Sequence, residues 1–193
     1  MSGGTELERL AALAAAGHDE AYGQIYEHTV KDVYRAVYYL VGNRSDTEDI
    51  VQDSYLQFHR SLGTYDPSRP LRPWLMGVAM QQVRAYRRRR WMHFRFAGRS
   101  ERLHDRLEED FSGEVVDHLA NKSLLEGVRE LSFKLQQVIT LHYLNEYTQE
   151  EIADILEIPV GTVKSRIHAG LAKLRQQVDT HTQNGKVGEL HEV

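Results

Sequence analysis

The sequence of 193 residues predicts an all-α protein: two small helical domains joined by a flexible linker, the C-terminal one containing a helix-turn-helix. Apolar residues recur at helical spacing in both halves of the chain, and no stretch shows the alternation of a strand. Between the halves, residues 97–122 contain glycines, acids and only scattered apolar residues. We therefore expect five parts: an N-terminal helical extension (1–17), a first domain (18–96), an acidic linker (97–122), a second domain (123–177) and a loose polar tail (178–193).

The first domain begins with helices whose buried faces are visible in the sequence. A helix over residues 6–16 stops at Gly17, and an amphipathic helix follows with apolar residues at Val30, Val33, Tyr34, Val37, Tyr38 and Val41. Gly42 and Asn43 end that helix. Ser45 or Asp46 is the expected cap of the next one, whose buried stripe is Val51, Tyr55, Phe58 and Leu62.

A small polar patch lies on another face of this third helix. Asp49, Gln52 and Asp53 stand at i, i+3 and i+4, which places them side by side. From the spacing alone, the simplest interpretation is a solvated helix face.

Residues 63–73 form a loop with three prolines, and Pro73 suits the first turn of the helix that follows. We expect Trp74 in the core, with Leu75, Val78, Ala79, Val83 and Tyr86 as the buried stripe. The helix then runs into four consecutive arginines, 87–90, followed by Trp91, Phe94 and Phe96. Arginines interleaved with aromatic rings favour single-stranded nucleic acid over an ordinary basic surface helix, because they combine phosphate contact with base stacking.

The second domain ends in a predicted helix-turn-helix over residues 148–175, packed on apolar helices within residues 124–145. Thr148 and Glu151 have the spacing of a capping box, and Pro159 ends the first helix. The alternative is an ordinary helix pair with a charged face. Charge segregation favours DNA binding in the major groove, because residues 160–175 contain four Lys/Arg and no carboxylate whereas the first helix is acidic.

Composition limits the other possibilities. The chain has no cysteine, which excludes disulfides and thiolate metal sites and suits a reducing cytoplasm. No apolar run approaches the ~20 residues of a membrane span, and the N-terminus lacks the layout of a signal peptide. The ten histidines have no metal-ligand spacing, and we see neither a phosphate loop nor a nucleophile–base set. We expect a soluble, cytoplasmic, non-catalytic protein without metal or cofactor.

The net charge of −4 disfavours nucleic-acid binding only on average. Residues 81–100 contain seven arginines and no acid, whereas residues 101–117 contain seven carboxylates and two arginines. The charge is therefore strongly polarised along the chain.

Two stretches of the chain match the signatures of a single family. Residues 45–53, SDTEDIVQD, and residues 72–75, RPWL, with the basic helix after them resemble the DAEDIVQD signature and the next part of the second region of the extracytoplasmic-function (ECF) sigma factors of bacterial RNA polymerase. Residues 149–153 and 161–166, QEEIA and GTVKSR, resemble their fourth region. The matches cover roughly residues 18–96 and 123–176. They imply that the factor is a dissociable polymerase subunit that directs promoter-specific initiation.

The resemblance also implies roles for particular residues. It reverses the interpretation of the acidic patch, since the matching face docks on the clamp helices of the beta-prime subunit through Asp49, Gln52 and Asp53. Residues matching those that capture an unstacked base and its backbone at the minus-ten element are Gln57, Ser61, Tyr65, Gln81, Arg84 and Arg88. Residues matching those that read the minus-thirty-five element or hold its phosphates are Thr162, Lys164, Ser165, Arg166, His168 and Arg175.

Further partners follow from the same resemblance: the polymerase beta flap, and an anti-sigma factor anchored in the membrane. We expect no stable homo-oligomer. The linker would run toward the RNA exit path, where Glu108, Glu109 and Asp110 mimic nucleic acid.

The chain departs from the family pattern at several positions. Ala169 and Leu171 stand where arginines are common, which lowers the positive charge of the recognition helix. Gln81 replaces a common asparagine, Gly77 and Met80 replace bulky or basic residues, and Ser132-Phe133 replaces a proline-containing turn. Two rival functions are a dimeric helix-turn-helix regulator that never touches polymerase and a sigma-like module that sequesters partners. The acidic face and the arginine helix argue against the first rival.

Overall fold

The computed structural model describes residues 3–97 and 122–187, and within them it contains eight α-helices and no strand. The all-α prediction is confirmed. The helices are α1 Gly3–Ala15, α2 Asp19–Val41, α3 Arg44–Ser61, α4 Leu71–Ala97, α5 Lys122–Glu130, α6 Phe133–Ile139, α7 Gln149–Leu156 and α8 Val160–Val187. Most of the predicted linker, residues 98–121, lies outside the described residues, as do Glu108, Glu109 and Asp110.

Helices α1 to α4 pack around one apolar core. Helix α1 lies against α2 and α4 and buries Leu7, Leu10 and Ala11. The stripe predicted on α3 is buried, with Phe58 wholly inaccessible to solvent. The hydroxyl groups of Thr29 and Tyr55 are bonded to each other at 2.7 Å inside this core, so these two buried polar groups are satisfied.

One predicted helix cap is wrong. Gly42 ends α2 in the left-handed region, as expected, but the N-cap of α3 is Asn43 rather than Ser45 or Asp46. The Asn43 side chain accepts a hydrogen bond from the Asp46 backbone N–H at 2.9 Å. Gly42, which ends α2, and Asn43, which begins the next helix, are adjacent in the sequence. Asn43 is the cap because its amide oxygen accepts a hydrogen bond from a backbone N–H that the first turn of the helix leaves unpaired.

Helices α5 to α8 form the second half. A π-helical turn, Thr140–Leu144, follows α6, and the capping box of Thr148 and Glu151 is present at the start of α7. Helix α7 ends at Leu156, and its C-cap Glu157 lies in the left-handed region with φ 56°. Helix α8 extends to Val187, so residues 178–187 continue the helix and do not form the expected loose tail. No proline interrupts this polar run.

The two largest contacts between the halves involve α7 and the π-helical turn. Helix α7 lies on α4, and the π-helical turn lies on α2. At the second place, the Asn145 side-chain N–H donates to the Asp32 backbone oxygen at 2.9 Å.

Packing between α6 and α8 depends on Gly170, and this provides a stability prediction. A Cβ at position 170 would lie 2.9 Å from Cγ1 of the buried Ile139. We expect Gly170→Ala to lower the free energy of unfolding, because overpacking costs about 1–3 kcal/mol and exceeds the helix-propensity gain of at most about 1 kcal/mol.

The matched control is Gly23→Ala in α2, where an added Cβ meets nothing within 4 Å. This exposed change should raise stability by about 0.5–1 kcal/mol. Urea unfolding followed by circular dichroism measures both midpoints. A Gly170→Ala midpoint at or above that of Gly23→Ala would show that Ile139 moves aside without cost.

Candidate nucleic-acid interface

Helix α8 presents a polar face on a firmly packed base. Val163, Ile167 and Leu174 are buried against the rest of the second half, with at most 8% exposure. The opposite side exposes Lys164, Ser165 and His168, which line a shallow groove with Gly161, Ala169 and Ala172. The structure thus brings together three of the six residues predicted to contact the upstream element.

The other three upstream residues flank this groove. Thr162 and Arg166 are half-buried at its edge, and Arg175 is exposed about three turns further along the same side of α8. The Ser165 hydroxyl donates to the Thr162 backbone oxygen at 3.0 Å, so its oxygen remains able to accept a hydrogen bond. The start of α8 is therefore a compact cationic surface of the size of a major-groove contact.

On α3, Asp49, Gln52 and Asp53 are exposed on one face, as predicted, and the buried stripe lies on the other. Leu56 continues this face one turn further and is 49% exposed. Sequence reasoning missed Leu56. Its position in the sequence, three residues beyond Asp53 and outside the buried stripe, places it on the same exposed face as Asp49 and Asp53.

The loop after α3 is held by hydrogen bonds and stacking. Ser61 donates to the Gln57 backbone oxygen at 2.9 Å, and Tyr65 donates its hydroxyl proton to the Arg69 backbone oxygen. The Tyr65 ring lies 4.8 Å from that of Trp74, which also packs on Phe58 at 5.3 Å. Trp74 is therefore half-buried and packs against the edge of the core through Phe58, whereas the sequence predicted it inside the core.

The environment keeps Tyr65 in its protonated form. Burial, followed by the nearby carboxylates of Glu8 and Asp66, raises the pKa of Tyr65 to about 12. The hydroxyl remains a donor over the physiological pH range.

The three predicted residues of α4 have different environments. Gln81, Arg84 and Arg88 stand at i, i+3 and i+7 on one side of the helix, and Arg88 is exposed. Gln81 and Arg84 instead bond to the end of α7: the Gln81 amide donates to Glu157 at 3.3 Å, and Arg84 donates to the Leu156 backbone oxygen at 3.4 Å. The structure therefore joins this pair to the second half of the chain.

The arginine run after Arg84 is divided between internal contacts and solvent. The Arg87 guanidinium lies 4.1 Å from the centroid of the Phe133 ring, and burial lowers the pKa of this arginine. Arg90 donates to the Tyr86 hydroxyl oxygen at 2.7 Å, whereas Arg88 and Arg89 are exposed. Only part of the predicted basic surface thus faces solvent.

Within residues 3–97 and 122–187, no cluster of His, Cys, Asp or Glu has an arrangement suited to a metal ion. None of the helices in this part of the chain is both long enough and apolar enough to span a membrane.

Comparisons with known proteins agree on one family. The Sigma-70 region 2 model matches residues 25–92, and the Sigma-70 region 4 model matches residues 121–174. The chain is 30% identical over 173 residues to the ECF RNA polymerase sigma factor SigW of Bacillus subtilis, covering 84% of this chain and 91% of that relative. It is 29% identical over 183 residues to the RNA polymerase sigma factor CnrH of Cupriavidus metallidurans, covering 90% and 95% of the two chains.

Solved structures support the same relationship. CnrH in complex with the cytosolic domain of CnrY superposes with a TM-score of 0.68 at 26% identity, over 91% of this chain and 98% of that one. The sigma factor RpoE of Bartonella quintana, solved with the anti-sigma factor NepR, has the same fold, with a TM-score of 0.71 at 17% identity over 82% of this chain and 96% of that one. With both sigma regions matched in order, the chain belongs to the ECF sigma factors of RNA polymerase, which direct promoter-specific initiation of transcription.

Proposed function

We propose that this sigma factor holds a promoter at two points and polymerase at a third, each point on a different helix. Helix α8 contacts the upstream element, α4 and the loop before it contact the melted minus-ten strand, and α3 contacts the polymerase clamp. The main support is the exposed face of Lys164, Ser165 and His168, which stands on a buried apolar base with no carboxylate along residues 160–175.

At the upstream element, Lys164, Ser165 and His168 face base edges in the major groove. Thr162, Arg166 and Arg175 hold phosphates at the rim. Phosphate contacts set the register of the helix on the duplex, and base-edge contacts specify the sequence. Because Ala169 and Leu171 supply no charge, this contact is weak on its own and depends on polymerase to bring the second contact within reach.

At the minus-ten element, an unstacked base enters between Gln57, Ser61 and Tyr65 on one side and Gln81 on the other. Arg84 and Arg88 hold the backbone. Removing a base from the stack costs a few kcal/mol, which contacts to the base and its phosphates recover. Melting is therefore driven by binding, and the factor itself performs no chemistry.

The acidic face of α3, Asp49, Gln52 and Asp53, binds the clamp helices of the beta-prime subunit, and the second half binds the beta flap. Leu56 adds apolar contact to the acidic face. The predicted acidic linker, residues 97–122, joins the two sites. The factor acts as a monomer in the cytoplasm, where polymerase and promoters are found.

An anti-sigma factor is a further proposed partner. Two structurally similar sigma factors were solved in complex with a partner protein. These are CnrH with the cytosolic domain of CnrY and RpoE with the anti-sigma factor NepR. By analogy, a membrane-anchored anti-sigma factor holds this chain until a signal releases it.

Run-off transcription with purified core polymerase on genomic fragments tests the proposal as a whole. We expect initiation at a small set of sites, with the folded factor required. Products no different from those of core polymerase alone would refute it.

The upstream contact is tested by Lys164→Ala. We expect the holoenzyme to lose roughly 5- to 150-fold in affinity for promoter duplex, because a base-reading contact is worth about 1–3 kcal/mol. Affinity of the factor for core polymerase should not change. The control is Lys173→Ala, since Lys173 is also exposed but lies about 180° around α8 from Lys164. Equal losses in both variants would indicate general electrostatics and contradict a specific contact.

The polymerase contact is tested by Asp53→Ala. Loss of one member of an interfacial charge pair costs about 2 kcal/mol or more, so affinity for core polymerase should fall about thirtyfold or more. Asp154→Ala removes an equally exposed carboxylate from α7 and should leave this affinity unchanged. Fluorescence anisotropy with labelled factor measures both variants. Unchanged core affinity of Asp53→Ala would remove α3 from the proposed interface.

A further inference from the structure

The start of α4 is covered by α7. At Gly77 the two helices come close enough that an added Cβ would lie 3.7 Å from the Ile155 backbone oxygen and 3.9 Å from its Cα. These distances are ordinary van der Waals contact, so alanine fits at this position. Because the added Cβ already contacts the backbone of α7, we expect a longer branched side chain at position 77 to push α7 away from α4.

Polar contacts join the same two helices one and two turns further along α4. The end of α7 presents the Leu156 backbone oxygen to Arg84 at 3.4 Å and the Glu157 carboxylate to Gln81 at 3.3 Å. A helix C-terminus has partial negative charge, and the carboxylate adds a full one. The end of α7 therefore offers Gln81 and Arg84 an anionic surface of the kind that a DNA backbone offers.

Contacts elsewhere hold the two halves in this arrangement. Arg87 of α4 packs over the ring of Phe133 at 4.1 Å. On the far side, Asn145 donates to the Asp32 backbone oxygen at 2.9 Å, and the buried Tyr147 donates to the Arg72 backbone oxygen at 3.5 Å. Because the contacts lie on two separate helices of the first half, α7 is fixed in orientation over α4.

The upstream face of α8 is not covered in this arrangement. Lys164, Ser165 and His168 are exposed and lie on α8, away from α4, whereas the half-buried Arg84 and the exposed Gln81 both bond to the end of α7. The two proposed DNA contacts are therefore unequal in accessibility in the closed chain, since only the residues for the minus-ten strand are bonded to α7.

From this inequality we propose that α7 is an autoinhibitory element. Its C-terminal end, Leu156 and Glu157, occupies Gln81 and Arg84 in the free factor, so the minus-ten strand is excluded until the two halves separate. The inference rests on the proposed minus-ten role of these two residues. It goes beyond that role by assigning a competitor inside the same chain.

The test compares two substitutions at position 77, a bulky one that should separate the helices and a small one that fits between them. Gly77→Leu should push α7 from α4, whereas Gly77→Ala should not. Because the chain contains no native cysteine, Glu27→Cys and Lys173→Cys at exposed positions accept a donor and an acceptor dye in the full-length factor. We expect lower energy transfer for Gly77→Leu than for the parent and Gly77→Ala.

The functional readout is affinity for the non-template minus-ten strand of a promoter recovered in the transcription assay. Opening should raise the affinity of the free factor about tenfold or more, since apparent affinity scales with the fraction of competent molecules. Glu157→Gly provides a second route that does not depend on a bulky residue. It removes the carboxylate at a position with φ 56°, which glycine adopts freely, and should also raise strand affinity.

Adding Arg84→Ala to the Gly77→Leu factor separates the two hypotheses. We expect it to reverse most of the gain. If Gly77→Leu opens the chain and Arg84→Ala still weakens strand binding, but affinity has not risen above the parent, autoinhibition is refuted and the minus-ten role stands. If Arg84→Ala has no effect in the open chain, the minus-ten role fails and the inference fails with it. Energy transfer in the parent equal to that of Gly77→Leu would also overturn the closed state.

Discussion

Helix α4 has to satisfy two partners with one surface, and the architecture follows from this constraint. One side of the helix buries Leu75, Met76 and Val83 in the core formed with α2 and α3. The other side carries Gln81 and Arg84, which contact α7 in this structure and which we propose also contact the minus-ten strand. The contact with α7 holds the two halves of the chain together, whereas the proposed role requires the contact with the strand. Gly77, where the family commonly has a bulky residue, permits the contact with α7.

The distribution of charge explains how an acidic chain acts on DNA. A net charge of −4 would repel a polyanion at long range, but screening limits that effect to roughly 10 Å at moderate salt. Within that distance, the start of α8 presents Lys164 and no carboxylate, while Glu151 of α7 is used in the capping box with Thr148. Glu157 is the exception, since its carboxylate lies against Gln81. Local fields, and not the sum of charges, decide what each surface binds.

Local features of the fold could be predicted from the sequence because they depend on neighbours in the chain. The buried stripe of α3 follows from helical periodicity, and the capping box of Thr148 follows from residue chemistry at a fixed spacing. The π-helical turn after Ile139 leaves no mark on that periodicity, since it shifts hydrogen bonds without changing which residues are apolar. The pairing of Gln81 with Glu157 joins positions 76 residues apart, and no local pattern encodes it. The candidate site was therefore predictable as a set of residues but not in its closed arrangement.

The contacts between the halves are suited to a reversible closure. Four hydrogen bonds between the halves and one cation–π pair contribute about 0.5–1.5 kcal/mol each. A closed state favoured by a few kcal/mol leaves the open form at roughly 0.1–10% of molecules. A polymerase that binds only the open form at nanomolar Kd supplies about 12 kcal/mol, which is ample to shift this balance. Thermodynamic linkage is reciprocal. A ligand that binds only when α7 is displaced from α4 therefore raises the affinity for any other ligand that also needs α7 displaced. The proposed closure therefore predicts that polymerase and the melted strand assist each other's binding if both require α7 to be displaced from α4.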